Sequence, residues 1–126
     1  MNGMPIVDIQ IVQRDGAAPA AASLTQSLAD AAGRAFGSAP GRTWVRLSTL
    51  AASHYAENGA SLGADEWPVF VTVLHAHVPQ GEALECEIAA LTAAIAACVE
   101  REPQRVHVQY AAAAAGRQAF GGVLVR

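Results

Sequence analysis

The sequence predicts an α/β protein made of two tandem β-α-β units. Together they form a four-stranded mixed sheet with two helices on one face. Three observations lead there. PIVDIQIV at 5–12 and PVFVTVLH at 68–75 each read as an apolar strand opened by a proline. Each is followed by a stretch with helical spacing and then by another short apolar run. Finally, Pro5 and Pro68, Pro40 and Pro103, and Arg42 and Arg105 all stand 63 positions apart, as expected of an internal repeat. The repeat covers 5–50 and 68–112 within a single domain of residues 1–126.

In the first strand, Val7, Ile9 and Ile11 share one face, and Asp8 and Gln10 the other. A helix is expected over 23–36. Ser23 and Gln26 have capping-box spacing. Leu24, Leu28, Ala31, Ala35 and Phe36 form its stripe, and Gly37 is a natural stop. APGRTWVRL supplies the second strand. The stretch 51–67, rich in turn formers, is expected to hold Tyr55 in a short hairpin, with Glu57 and Asn58 in a turn.

The third strand opens at Pro68. A second helix carries Leu84, Ile88, Leu91, Ile95 and Val99, and Pro103 forbids its continuation. EPQRVHVQY gives the fourth strand. A helix between two strands implies a right-handed parallel crossover. A ferredoxin-like split β-α-β has the same element count and is the competing topology. In either, the face away from the helices mixes Asp8, Gln10, Thr72 and Arg46 with Ile6, Phe70 and Leu74. A half-apolar face of that kind calls for a partner.

Composition bounds the function. The 126 residues, 52% of them hydrophobic, fit one domain with a substantial core. No apolar run reaches the ~20 residues of a membrane span, and no signal-peptide layout opens the chain. A cytoplasmic protein that does not engage membranes is expected. A net charge of −3 leaves no basic footprint for nucleic acid. All eight basic residues are arginines, which excludes lysine Schiff-base chemistry and the lysine of a phosphate-binding loop. Cys86 and Cys98, ~18 Å apart if on one helix, are too distant for a disulfide and are expected to be buried thiols.

MPIV with its alternating continuation, TWVRL, HYAENG, P-x-R-V at 103–106 followed by HVQY, and FGG at 120–122 occur in an order that resembles the tautomerase superfamily. The likeness covers nearly the whole chain. It is closest in kind to the two-unit branch that includes 5-carboxymethyl-2-hydroxymuconate isomerase and macrophage migration inhibitory factor. The resemblance implies a homotrimer and a cofactor-independent isomerase that moves a proton between the carbon and oxygen ends of a small 2-oxo or 2-hydroxy-dienoate acid.

It also implies the site. The family's base is an N-terminal proline, and Pro5 is the matching position. Arg14, after the first strand, and Arg46, in the second, match arginines that bind the substrate carboxylate. His107 and Gln109 fall where the inhibitory-factor branch has a pocket tyrosine and asparagine. Tyr55 supplies an aromatic wall or a hydroxyl. The C-terminal stretch GRQAFGGVLVR has no carboxylate side chain, so the water-activating glutamate of the dehalogenase and hydratase branches has no counterpart.

Two features stand beside the resemblance. His75 and His77 share a strand face and resemble a pair of metal ligands, but a third ligand is not evident, and catalytic zinc takes three; no metal is expected. Met1–Met4 precede Pro5. An internal prolyl nitrogen is an amide without a basic lone pair. With the extension retained, the expectation becomes a non-catalytic or weakly catalytic trimeric binding scaffold, with Asn2, Gly3 and Met4 narrowing the cleft beside Pro5. With translation starting at Met4 and that methionine removed, Pro5 becomes a free secondary amine.

Overall fold

The computed structural model describes residues 4–126. Strand β1 (Ile6–Gln13) buries Val7, Ile9 and Ile11 and leaves Ile6, Asp8 and Gln10 half-covered, as its alternation predicts. Helix α1 (Ala22–Phe36) follows, then β2 (Trp44–Ala51), β3 (Val69–Leu74), α2 (Gly81–Val99) and β4 (Val106–Tyr110). A small hairpin, β5 (Ala119–Phe120) and β6 (Val123–Leu124), closes the chain. Its two-residue turn is Gly121–Gly122, both at positive φ (57° and 86°), the conformation that two-residue hairpins require.

The strand order is β2-β1-β3-β4. β1 runs parallel to β2 with Ile6 opposite Trp44, and β3 parallel to β4 with Val69 opposite Val106. The central pair, β1 and β3, is antiparallel, with Ile6 opposite Leu74. Each helix therefore connects two adjacent parallel strands. A split β-α-β would place another strand between them, so that topology is excluded.

The helices pack on each other and on one sheet face. Leu28, Ala31 and Ala32 of α1 and Leu91, Ile95 and Ala96 of α2 are buried, against Val7, Ile9, Val71 and Val73 of the central strands. On the opposite face Trp44 and Phe70 are exposed large apolar groups, and Val123 and Leu124 of the hairpin are exposed as well. Among the described residues, no helix is long and apolar enough to cross a membrane.

Several local expectations are corrected. α1 starts at Ala22 behind Ala21, with no side-chain cap. This puts Ser23 inside the first turn, where it cannot cap, and Gln26 donates instead to Asp30 at 3.0 Å. The stop at Gly37 forms as expected. Its φ is 67°, its N–H bonds to Arg34, and Ser38 N–H reaches Gly33 O at 2.8 Å, a Schellman arrangement.

No hairpin forms over 51–67. Two short 3₁₀ turns (Ala52–His54 and Ala64–Glu66) occupy it, because local bonds such as Gly63 N–H to Glu66 Oε1 at 2.9 Å satisfy the backbone without strand pairing. α2 ends at Val99, before Pro103, on Glu100 at φ 56°. Cys86 is exposed and Cys98 half-buried. Five residues before Leu91 is more than a third of a turn off its stripe, which explains Cys86. Asn2 and Gly3 lie outside the described residues. Met4 is half-buried, and its Sδ accepts from Arg42 Nη1 at 3.4 Å.

Candidate functional site

Topology brings three chain segments to one end of the sheet. Pairing of Ile6 with Leu74 sets Pro5, the residue before β1, opposite His75, the residue after β3. Pairing of Ile6 with Trp44 brings the start of β2 beside them, and with it the end of α1. Pro5 is buried there, its carbonyl accepting from Trp44 N–H at 3.0 Å. These segments and the second turn of α2 enclose a cavity of about 630 Å³ whose lining includes Pro5, Phe36, Arg42, His75, His77 and Glu87.

One wall is a polar cluster assembled from three elements. Tyr110 of β4 donates its hydroxyl to Glu87 Oε2 at 2.6 Å, and His75 Nε2 meets the same oxygen at 2.9 Å. The imidazole stacks on the Tyr110 ring at 5.9 Å and takes the Phe36 edge at 5.0 Å. The side chains of His75 and Glu87 are each only 14% exposed. Burial, then the hydrogen bond to Glu87 and its charge, pushes the Tyr110 phenol well above the ordinary tyrosine range. Tyr110 therefore acts as a fixed donor. Arg42 is the guanidinium on the cavity lining.

The other residues expected at the site lie elsewhere in the chain. Arg14 is exposed beyond the far end of β1, nine residues and so ~30 Å from Pro5 along the strand. Arg46 stands on the helix-free face and binds Asp8 through two bonds of 2.6 and 2.8 Å. That contact raises the guanidinium pKa further above its ordinary value. His107 faces Phe70 at 5.7 Å, and Gln109 Nε2 donates to Thr72 Oγ1 at 3.2 Å.

Tyr55 packs on Phe70 at 5.7 Å and donates to Glu57 Oε2 at 2.7 Å. That hydrogen bond, then burial, raises its pKa. Arg46, Tyr55, His107 and Gln109 thus gather around Phe70 and Thr72 on the open face. Pro5 lines the end cavity, and Arg14 is remote from both groups. His75 and His77 do not form a ligand pair: His75 meets Glu87, and His77 Nε2 meets the main-chain oxygen of Arg126 at 3.1 Å.

Arg42, Glu87 and Tyr110 escaped the sequence reading. For Glu87 a signal existed. It lies three residues after Leu84 and four before Leu91, so a carboxylate interrupts the apolar stripe of α2. A charge there needs a buried partner, and His75 and Tyr110 are that partner.

No family model matches the sequence, and no curated protein matches it. Among solved structures, the asymmetric trimer of wild-type F6 fused 4-OT is 23% identical, with a TM-score of 0.69 over 93% of this chain and 94% of that one. Pt0534 inactivated by 2-oxo-3-pentynoate is 19% identical, with a TM-score of 0.70 over 94% and 95%. A macrophage migration inhibitory factor homologue from Prochlorococcus marinus is 16% identical, with a TM-score of 0.67 over 96% and 99%. At these identities the likeness is one of fold, and the fold is the tautomerase type.

Proposed function

Starting from the tautomerase-type fold, we propose that the chain is a cofactor-independent keto–enol tautomerase of small 2-oxo or 2-hydroxy-dienoate acids, with Pro5 as its base when that residue is N-terminal. The observation that carries this reading is the position of Pro5, buried in the wall of a cavity that Arg42 also lines. A free prolyl nitrogen is a secondary amine, and α-amino groups titrate near ~8. Burial and a neighbouring guanidinium disfavour its charged form and lower its pKa. The neutral amine can then take a proton from the enol oxygen and return it to carbon. Arg42 holds the substrate carboxylate through its planar fork.

The active assembly is a homotrimer. Two fused 4-OT neighbours are trimers, and the helix-free face with Trp44 and Phe70 needs a cover. Arg14 is remote from Pro5 in its own chain, and Arg46 is held on Asp8 on the other face of the sheet, so neither serves the cavity of its own chain. They serve it from a neighbouring copy, as do His107, Gln109 and Tyr55. One domain with two copies of a single unit, 5–50 and 68–112, is the proposed organisation.

A second reading has its own observation. In this chain Met4 is bonded to Pro5, making its nitrogen an amide, and Met4 Sδ accepts a bond from Arg42. In that form Pro5 moves no proton, and the cavity is a binding site for a small carboxylate. Two preparations separate the readings, one starting at Pro5 and one at Met1. Ketonisation of phenylenolpyruvate is expected to be saturable with the first and slowed in its Pro5→Ala variant. Equal rates for Pro5 and Pro5→Ala would remove Pro5 from the mechanism.

A further inference from the structure

The cavity holds a second group able to move a proton. We propose that His75, positioned by Glu87 and Tyr110, is a proton-transfer base for keto–enol interconversion in this cavity, and that it works whether or not Pro5 is a free amine. This inference rests on the reading of the cavity as a 2-oxo acid site.

The geometry fixes the tautomer. Glu87 Oε2 already accepts the Tyr110 hydroxyl proton at 2.6 Å. A carboxylate oxygen offers no proton, so His75 meets it at 2.9 Å by donating Nε2–H. In the neutral ring the lone pair then resides on Nδ1. Among the described residues no hydrogen bond involves Nδ1, and no polar side-chain atom is buried without a partner. Nδ1 is therefore solvent-accessible, on a ring that lines the cavity.

The ring is also held in place. It packs against the rings of Tyr110 and Phe36, and the Glu87 carboxylate on Nε2 offsets the charge that forms when Nδ1 takes a proton. This is the division of labour of a base and its orienting acid. The titratable or charged groups facing it are Glu87 from α2, Tyr110 from β4, and Arg42 and His77 on the cavity lining; α1 contributes the uncharged Phe36.

The step balances without a co-reactant. Nδ1 takes the enol O–H proton, and the oxygen electron pair re-forms the C=O bond. The C=C pair takes the same proton back from Nδ1–H onto carbon, which regenerates the neutral imidazole. Arg42 holds the carboxylate. Glu87 holds the His75 ring and Tyr110 holds Glu87 through their hydrogen bonds, and both act as positioning residues.

The test uses the full chain from Met1, its mass verified intact, and the chain starting at Pro5. Phenylenolpyruvate ketonisation is followed above the buffer rate. The full chain is expected to be active and to lose about 10²-fold or more in kcat in His75→Asn and in His75→Gln. Both variants are first checked for native circular dichroism. Glu87→Gln is expected to lower kcat with KM unchanged, because the ring loses the acceptor that holds its Nε2–H and aims Nδ1 at the substrate. An unchanged kcat would remove Glu87 as the positioning group.

An inactive full chain beside an active Pro5-start chain indifferent to His75→Asn would overturn the inference and leave the reading of the cavity standing. If neither preparation exceeds the buffer rate, the reading falls and the inference with it.

Discussion

Tyr110 shows how one side chain links stability to the site. Its hydroxyl and His75 share one oxygen of a nearly buried carboxylate. Folding raises its phenol above the unfolded value of about 10. The stability it contributes is intact below that pH and declines as pH rises further, where the unfolded chain ionises first. Urea midpoints measured at about pH 9 and pH 11 are expected to fall with pH in the parent chain. The fall is expected to be smaller in Tyr110→Phe, and an identical fall would place the alkaline loss elsewhere. At neutral pH Tyr110→Phe removes a donor from Glu87 and is expected to cost about 1–3 kcal/mol.

Arg42 is the cation of the cavity, so Arg42→Ala is expected to raise KM for a 2-oxo acid at least tenfold. A contact of about 1.4 kcal/mol is enough for that, and saturation kinetics read it directly. At this scale the sequence was least legible. Pro5 could be placed by its position before an alternating strand. Glu87 and Tyr110 matter only because α2 and β4 bring them to one oxygen, and no local pattern encodes that meeting.

Elements were far more legible than contacts. The alternation in β1 and the stripes of α1 and α2 reflect burial on one face, which periodicity reports directly, and β3 is marked by its apolar run after Pro68. Gly37 stops α1 because its left-handed φ of 67° disfavours a side chain. The start of α1 was misplaced because an alanine run propagates a helix without needing a polar cap. The stretch 51–67 was misread because turn formers specify that the chain bends, not that its arms pair.

Arg101 belongs to this scale. Its guanidinium ties α2's end to the sheet, donating to Trp67 O at 2.7 Å and Val12 O at 3.0 Å. Partial burial lowers its pKa without discharging it. Arg101→Met strips two half-buried carbonyls of their donor and is expected to cost about 2–4 kcal/mol. A change in urea midpoint with an unchanged m-value checks it.

The whole molecule presents an uncovered sheet face. Trp44 is 42% and Phe70 36% exposed, and the Arg46–Asp8 pair lies between the strands that carry them. An exposed ion pair of that kind adds little stability, but it can orient a neighbouring copy. Light scattering is expected to give three times the 13.0 kDa chain mass, and Phe70→Arg to shift it toward one. A parent chain that is monomeric at micromolar concentration would contradict the trimer. The mixed apolar and polar character of the face was legible in the sequence. Which residues meet across it was not, because that depends on a second chain's geometry.

The most direct test of the central claim is a covalent label at Pro5. An acetylenic 2-oxo acid, 2-oxo-3-pentynoate, inactivates the structural neighbour solved with it. The chain starting at Pro5, with Cys86→Ser and Cys98→Ser to remove competing thiols, is incubated with one equivalent, digested and mapped by mass spectrometry. The account predicts one adduct per chain, on the Pro5 nitrogen, blocked by excess substrate and weakened in Arg42→Ala. Absence of any adduct on Pro5 under conditions that modify exposed amines of an unrelated protein would contradict it.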